Sequence, residues 1–150
     1  MYKRKKAIIS ACLLGEYCRY DGKTKKVNDV VEAFKDYEII PFCPEDPLFG
    51  TPREKINLVQ INNKKKILTD TTNKDVTSLL ENEINFFIKQ HPTADMIVLK
   101  SKSPSCGLGT TAVINKEKNV LYFGDGLATS LFKKHYKSAV FRDEKYYLVN

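Results

Sequence analysis

Four cysteines stand at positions 12, 18, 43 and 106 of a 150-residue chain, and thiols are the side chains best able to bind a soft metal or to act as nucleophiles. Cys12, Cys43 and Cys106 each follow a short apolar run, and two of them sit beside proline or glycine, in Cys43-Pro44 and Cys106-Gly107. Cys18 comes six residues after Cys12 in a polar stretch. No Cys-x2-Cys pair occurs, so the spacing departs from the usual pattern of a structural zinc site. Buried free cysteines and a four-cysteine zinc site stay open as readings. Three thiolates reaching one place from separate loops suit an iron-sulfur cube whose fourth iron has no protein ligand. Glu45 follows Cys43 across Pro44, which fixes the turn and aims the carboxylate toward the same place. A carboxylate beside a metal centre and partly out of water is a candidate general base. Ser103 and Ser105 flank Pro104 just before Cys106, where their hydroxyls can either donate hydrogen bonds in a site or cap a turn.

For cysteines so far apart in sequence to meet, the chain must place them on one edge of a sheet. Ala7 to Ala11 is an apolar run of the kind a buried strand shows, and Tyr37 to Phe42 is a second. Between them Asn28 to Lys35 sets Val30, Val31 and Phe34 on one helical face, with Asn28 or Asp29 as cap, so the opening reads as strand, helix, strand. Pro44 to Arg53 is proline-rich and reads as a long loop, and Val59 to Leu68 as a strand or hairpin. From Asp75, the residues Val76, Leu79, Leu80, Ile84, Phe87 and Ile88 fall on one helix face, which His91-Pro92 ends. Met96 to Leu99 is a third strand leading into the Cys106 loop. Ala112 to Asn115 and Val120 to Phe123 read as a hairpin or loop, Leu127 to His135 as a helix, and Ser138 to Phe141 as a last strand. Asp21-Gly22 and Gly124-Asp125-Gly126 read as tight turns. The expected architecture is α/β: one compact three-layer domain over residues 1–150, with a mostly parallel sheet and the site at the C-terminal edge of its strands, where open sheets of this kind bind ligands.

Composition narrows the class further. With 42% hydrophobic and 29% charged residues and only seven glycines and six prolines, disordered, collagenous and linker readings are out. The net charge of +7 favours anionic partners. If that charge serves a phosphate and is not only a solvated surface, Lys100 and Lys102, on either side of Ser101 next to the Cys106 loop, are the expected contacts. Lys3 to Lys6 precede the first strand, start at the opposite sheet edge, and read as a solvated tail. Only Ala7-Ile8-Ile9 separates Lys6 from Ser10, whereas a signal peptide needs roughly 7 to 15 apolar residues, and no run nears the roughly 18 of a membrane span. A cytoplasmic protein with no membrane partner is expected, in which paired disulfides are improbable.

Ile9-Ser10-Ala11-Cys12-Leu13-Leu14-Gly15, Cys18-Arg19-Tyr20-Asp21-Gly22, Cys43-Pro44-Glu45, Thr51-Pro52-Arg53, Asp75-Val76-Thr77, Ser103-Pro104-Ser105-Cys106-Gly107 and Gly124-Asp125-Gly126 follow one another in the order of the motifs of the DUF523 family, which the chain resembles over nearly its whole length. That family includes the thiouracil desulfurases. The resemblance implies a [4Fe-4S] cluster held by Cys12, Cys43 and Cys106, with the fourth iron taking the sulfur removed by hydrolysis from thiouracil or a thiolated uridine nucleotide. Glu45 matches the acid/base carboxylate, and Ser103 is expected to share in catalysis. Asp21, Lys100, Ser101 and Ser105 are expected to contact substrate. Two departures bear on substrate identity: Pro47-Leu48-Phe49-Gly50 replaces the usual Gly-Gly-Leu after Cys-Pro-Glu, and the usual Tyr-Asp-Gly after Ser-Pro-Ser-Cys-Gly is missing. Competing readings are a metal-stabilised RNA-binding module, motivated by the charge and by sixteen Phe plus Tyr, and a sulfur carrier or tRNA thiolation protein. Phe34, Phe87 and Phe132 lie on helix faces that must be core, which argues against the first.

Overall fold

The computed structural model describes residues 4–148, so Lys3 of the basic N-terminal run lies outside the described residues. Strands β1 (Lys6–Ser10), β2 (Glu38–Phe42), β5 (Met96–Leu99) and β8 (Val140–Asp143) form one all-parallel sheet in the order β2-β1-β5-β8. Its strands are apolar on both sides because both sides are covered. Ala7, Ile9 and Val98 pack toward helix α1 (Asn28–Ala33) and the 3-10 turn Ala11–Leu14, in a core with Leu13, Val30 and Phe34. Ile8, Ile97 and Leu99 point the other way, against helices α3 (Thr77–Gln90) and α4 (Leu127–His135), whose Ile84, Ile88, Ala128 and Phe132 are buried. Alternate residues of one strand thus feed opposite cores, and the three layers follow.

The remaining strands build a second sheet, order β4-β3-β6-β7, which local reading of the hairpins did not foresee. β3 (Ile56–Ile61) and β4 (Lys64–Thr69) form one hairpin, β6 (Thr111–Ile114) and β7 (Val120–Gly124) another, and β3 joins β6 in parallel. Asn62 and Asn63 close the first hairpin with φ of 50° and 64°, the left-handed pair that a two-residue turn of this hand needs. Ile56, Leu58, Ile67 and Val113 pack on Val76 and Leu80, so α3 serves both sheets.

Several boundaries shift. The stretch from Pro44 to Arg53 holds one helical turn, α2 (Asp46–Phe49), with Pro47 in its first turn, where its missing N–H costs nothing. α1 is capped by neither Asn28 nor Asp29; the cap position falls to Val27 with no side-chain bond. α3 begins two residues after Asp75, whose Oδ1 accepts from Thr77 N and Oγ1 at 3.0 and 2.6 Å. Its apolar stripe is narrower than the spacing predicts, since Leu79 is 52% exposed. Phe34 and Phe132 are buried and Phe87 packs at the margin of the core. No described helix is long and apolar enough to cross a membrane.

Candidate active site

Cys12 lies in the turn after β1, Cys43 directly after β2, and Cys106 in the loop after β5, so three neighbouring strands deliver three thiols to one edge. All three line one cavity of about 540 Å³, together with Cys18 and Glu45. The cavity opens where β1 leads outward to β2 on one side and β5 lies on the other, the reversal point at which open sheets form a crevice. All four cysteines are free thiols. Among the described residues no three Cys, His, Asp or Glu side chains converge on one point as ligands of a single ion must. A cube, by contrast, takes thiolates at separate corners, and thiols spread around a roomy cavity fit it.

The thiols are not equivalent. Burial pushes Cys12 up to about 11 and pushes Cys106 well above the usual thiol range. A hydrogen bond with the Cys18 thiol draws Cys43 down to about 7 against the opposing effect of burial, and the same contact raises Cys18. The ionised form is thus favoured at Cys43 and opposed by burial at Cys12 and Cys106, and a soft metal bound at such thiols displaces their protons.

The Cys106 loop is rigidly tied. Ser103 Oγ accepts from the N–H groups of Ser105 and Cys106 at 3.2 and 3.1 Å, so its hydroxyl caps the turn while its proton stays free to donate into the cavity it lines. The N-terminus of α4 meets this loop head-on: Gly126 N donates to Gly107 O at 2.8 Å, Leu127 N to Pro104 O at 3.1 Å, and Ala128 N to Ser105 O at 2.8 Å. Thr129 Oγ1 adds a bond to Cys106 O at 2.9 Å. The helix's orphan donors are thereby satisfied by the loop that carries the thiol. Such close approach needs glycine, since a Cβ at Gly126 would lie 2.6 Å from the Ser105 carbonyl atoms.

Two carboxylates face the cavity, each with a cation and a serine. Glu45 accepts from Ser105 Oγ at 2.9 Å and from Arg53 Nε at 3.4 Å, with side chains only 12% and 5% exposed for Glu45 and Arg53. Arg53 is anchored in turn on Gly50 O and Thr51 Oγ1, both at 3.1 Å. Glu144, directly after β8 at the start of a 3-10 turn, accepts from Ser101 N and Ser101 Oγ, each at 2.7 Å, and lies 3.2 Å from Lys100 Nζ. Burial opposes its ionisation, but the Ser101 bonds and Lys100 outweigh that and hold its carboxyl below the usual range.

Cys12, Cys43, Cys106, Glu45, Ser103, Ser101 and Lys100 are therefore brought together as the sequence expects. Ser105 is fully buried behind the wall and reaches the site only through Glu45. Asp21 does not line the cavity: it sits on an exposed turn, accepting from Lys23 N at 3.0 Å and facing Arg19 at 3.8 Å, because the Asp-Gly turn folds its side chain onto its own backbone. Arg53 and Glu144 escape sequence reasoning. The Thr-Pro-Arg motif signals the first, whereas Glu144 sits in a charged run that resembles a solvated end. Exposed Lys25, Lys55, Lys102 and Lys145 also line the cavity and have no carboxylate partner among the described residues.

Comparisons with known proteins agree with this picture. The chain is 31% identical over 111 residues to the uncharacterized protein YbbK of Bacillus subtilis (strain 168), covering 68% of this chain and 73% of that protein. Its fold matches a solved [4Fe-4S]-dependent thiouracil desulfidase, TudS, with a TM-score of 0.71 and 28% identity over 95% of this chain and 92% of the other. The 2-thiouracil desulfurase family model matches residues 7–144, from the first buried residue of β1 to Glu144. The chain belongs to the 2-thiouracil desulfurase family.

Proposed function

We propose that this protein is a [4Fe-4S]-dependent desulfurase that hydrolyses thiolated pyrimidines without net redox change. The observation that carries this reading is the delivery of Cys12, Cys43 and Cys106 by three adjacent strands to one cavity that also holds Glu45. These three cysteines would hold the cluster, leaving one iron without a protein ligand. When bound, the cluster supplies a soft Lewis acid for the thiocarbonyl sulfur, which leaves the attached ring carbon electron-poor.

The chain's own residues then have defined tasks. Glu45 takes a proton from the water that adds to that carbon, and Ser105 and Arg53 hold its carboxylate in place for the transfer. Ser103 keeps the Cys106 loop in shape and has a hydroxyl proton free for a substrate heteroatom. In the balance, the C=S bond and one water become a C=O bond and hydrogen sulfide. The four unpaired lysines, which line a cavity with little other free charge, favour an anionic substrate such as a thiolated nucleotide.

The test is anaerobic purification followed by sulfide assay against 2-thiouracil, 4-thiouracil and their nucleotides. A brown protein releasing sulfide stoichiometrically with the oxo-pyrimidine is expected. Fully iron-loaded protein that releases none from any of them, or tight zinc in place of iron, overturns the reading.

A further inference from the structure

Lys100 and Glu144 form an ion pair with Glu144 buried and Lys100 mostly so, whose purpose fold stability does not explain. A buried pair of this kind seldom adds net stability, because desolvating both charges offsets their attraction. Glu144 is 7% exposed, and both of its oxygens are filled by 2.7 Å bonds from Ser101. Lys100 Nζ is fixed by three contacts, to Ser101 O at 2.8 Å, to Ser101 Oγ at 3.3 Å and to Glu144 Oε2 at 3.2 Å. The result is an ammonium held in the cavity wall, where a free lysine would extend into water. Its backbone is pinned as well, since Lys100 N donates to Ser10 Oγ at 2.9 Å. Lys100 therefore differs from the exposed lysines at Lys25, Lys55, Lys102 and Lys145, which are placed to attract charge but not to position it.

We propose that Glu144 is a positioning residue, holding Lys100 as the fixed cation against which the negative charge of the substrate ring is set. The inference rests on the desulfurase reading. The oxygen and nitrogen atoms of a thiopyrimidine ring carry partial negative charge in the bound substrate and keep it as water adds, so the ammonium holds ground state and transition state alike and its loss appears in KM. The ammonium turns the N–H of its longest contact, to Ser101 Oγ at 3.3 Å, toward the ring and keeps its contacts to Glu144 and Ser101 O. Glu144 remains ionised and bonded to Ser101 throughout, so no proton leaves the pair.

Steady-state assays of the iron-loaded holoenzyme, with a thiopyrimidine on which the wild type releases sulfide, test this. Glu144→Gln is expected to raise KM about tenfold, the size of one charge-assisted hydrogen bond, with kcat within about twofold and unchanged iron content. Lys100→Met raises KM by a similar factor, and adding Glu144→Gln to it brings no further rise, because the two act as one unit. Lys100→Arg, which keeps the charge, recovers most of the affinity. Where Lys100→Met does not fold, the same cycle is run on Lys100→Gln. A wild-type KM in Glu144→Gln overturns the proposal. So does an equal KM rise from Glu144→Gln in both backgrounds, or a loss of iron that accounts for the whole effect, since each assigns Glu144 to the loop alone. If the wild-type holoenzyme hydrolyses no thiopyrimidine, the desulfurase reading itself falls, which is a separate result.

Discussion

Glu45 and Glu144 enter the cavity from β2 and β8, the two outer strands of the parallel sheet, each with a serine and a cation, yet they are held very differently. Glu144 receives two 2.7 Å bonds and a lysine at 3.2 Å, while Glu45 receives one bond at 2.9 Å and an arginine at 3.4 Å. A carboxylate offers about four acceptor positions, so Glu45 keeps capacity for a water and Glu144 keeps little. The looser of two similar groups is the one able to exchange a proton, and the tighter is the one able to fix its neighbour.

The thiols lie between both walls, and their loss should erase the comparison altogether. Cys12→Ala, Cys43→Ala and Cys106→Ala are each expected to abolish cluster binding and turnover, whereas Cys18→Ala retains some cluster; iron analysis after anaerobic reconstitution decides it. Full occupancy in any of the first three would remove that residue from the ligand set. Next in size, Glu45→Gln should keep its iron and lose turnover by roughly 10² to 10⁴, the usual cost of a missing general base. Single-turnover rates compared with those of Glu144→Gln would then separate a kcat defect from a KM defect. Equal defects in the two variants would dissolve the distinction drawn between the walls.

Smaller effects sharpen it. Gly126→Ala forces the Ser105 carbonyl away from α4, which costs about 1 to 3 kcal/mol as overpacking does and moves the serine that holds Glu45. Thermal unfolding should show the loss, and kcat should fall with KM nearly unchanged; a wild-type melting temperature would mean that the loop yields freely. Smallest is the contribution of the unpaired lysines. A thiolated nucleotide should have a KM a few-fold lower than its free base at low salt, with the advantage shrinking as salt rises through screening. Equal constants at all salt concentrations would make the +7 charge a solvated surface only.

Much of the site is legible in the sequence. Cys12, Cys43 and Cys106 are marked by their place after apolar runs, because parallel strands put all such ends on one edge. Glu45 is marked by the rigid Cys-Pro-Glu step. Glu144 was hidden because its pairing with Lys100 spans 44 positions and depends on β8 lying beside β5, a long-range fact with no local trace. Arg53 was hidden for the opposite reason: its partner is near in sequence, but the intervening helical turn α2 lies in a proline-rich stretch that reads as loop. The second sheet escaped in the same way as Glu144. Each hairpin shows in its own residues, but the β3 and β6 pairing joins Leu58 to Val113 across a helix and two strands. Leu79 was misplaced because periodicity sees spacing and not the width of the surface the helix covers.

The order of strands in the parallel sheet also fixes when the site can come into being. Cys12 and Cys43 belong to the first two strands made by a ribosome, Cys106 to the third, and Glu144 to the end of the fourth. Chains emerge at roughly 5 to 20 residues per second, so there are seconds of synthesis during which thiols exist without the wall that closes around them. Because β8 adds at the outer edge of β5, its docking disturbs no strand already paired. A nascent chain can therefore lay down the strands that carry its three thiols first and complete the wall that holds Lys100 last.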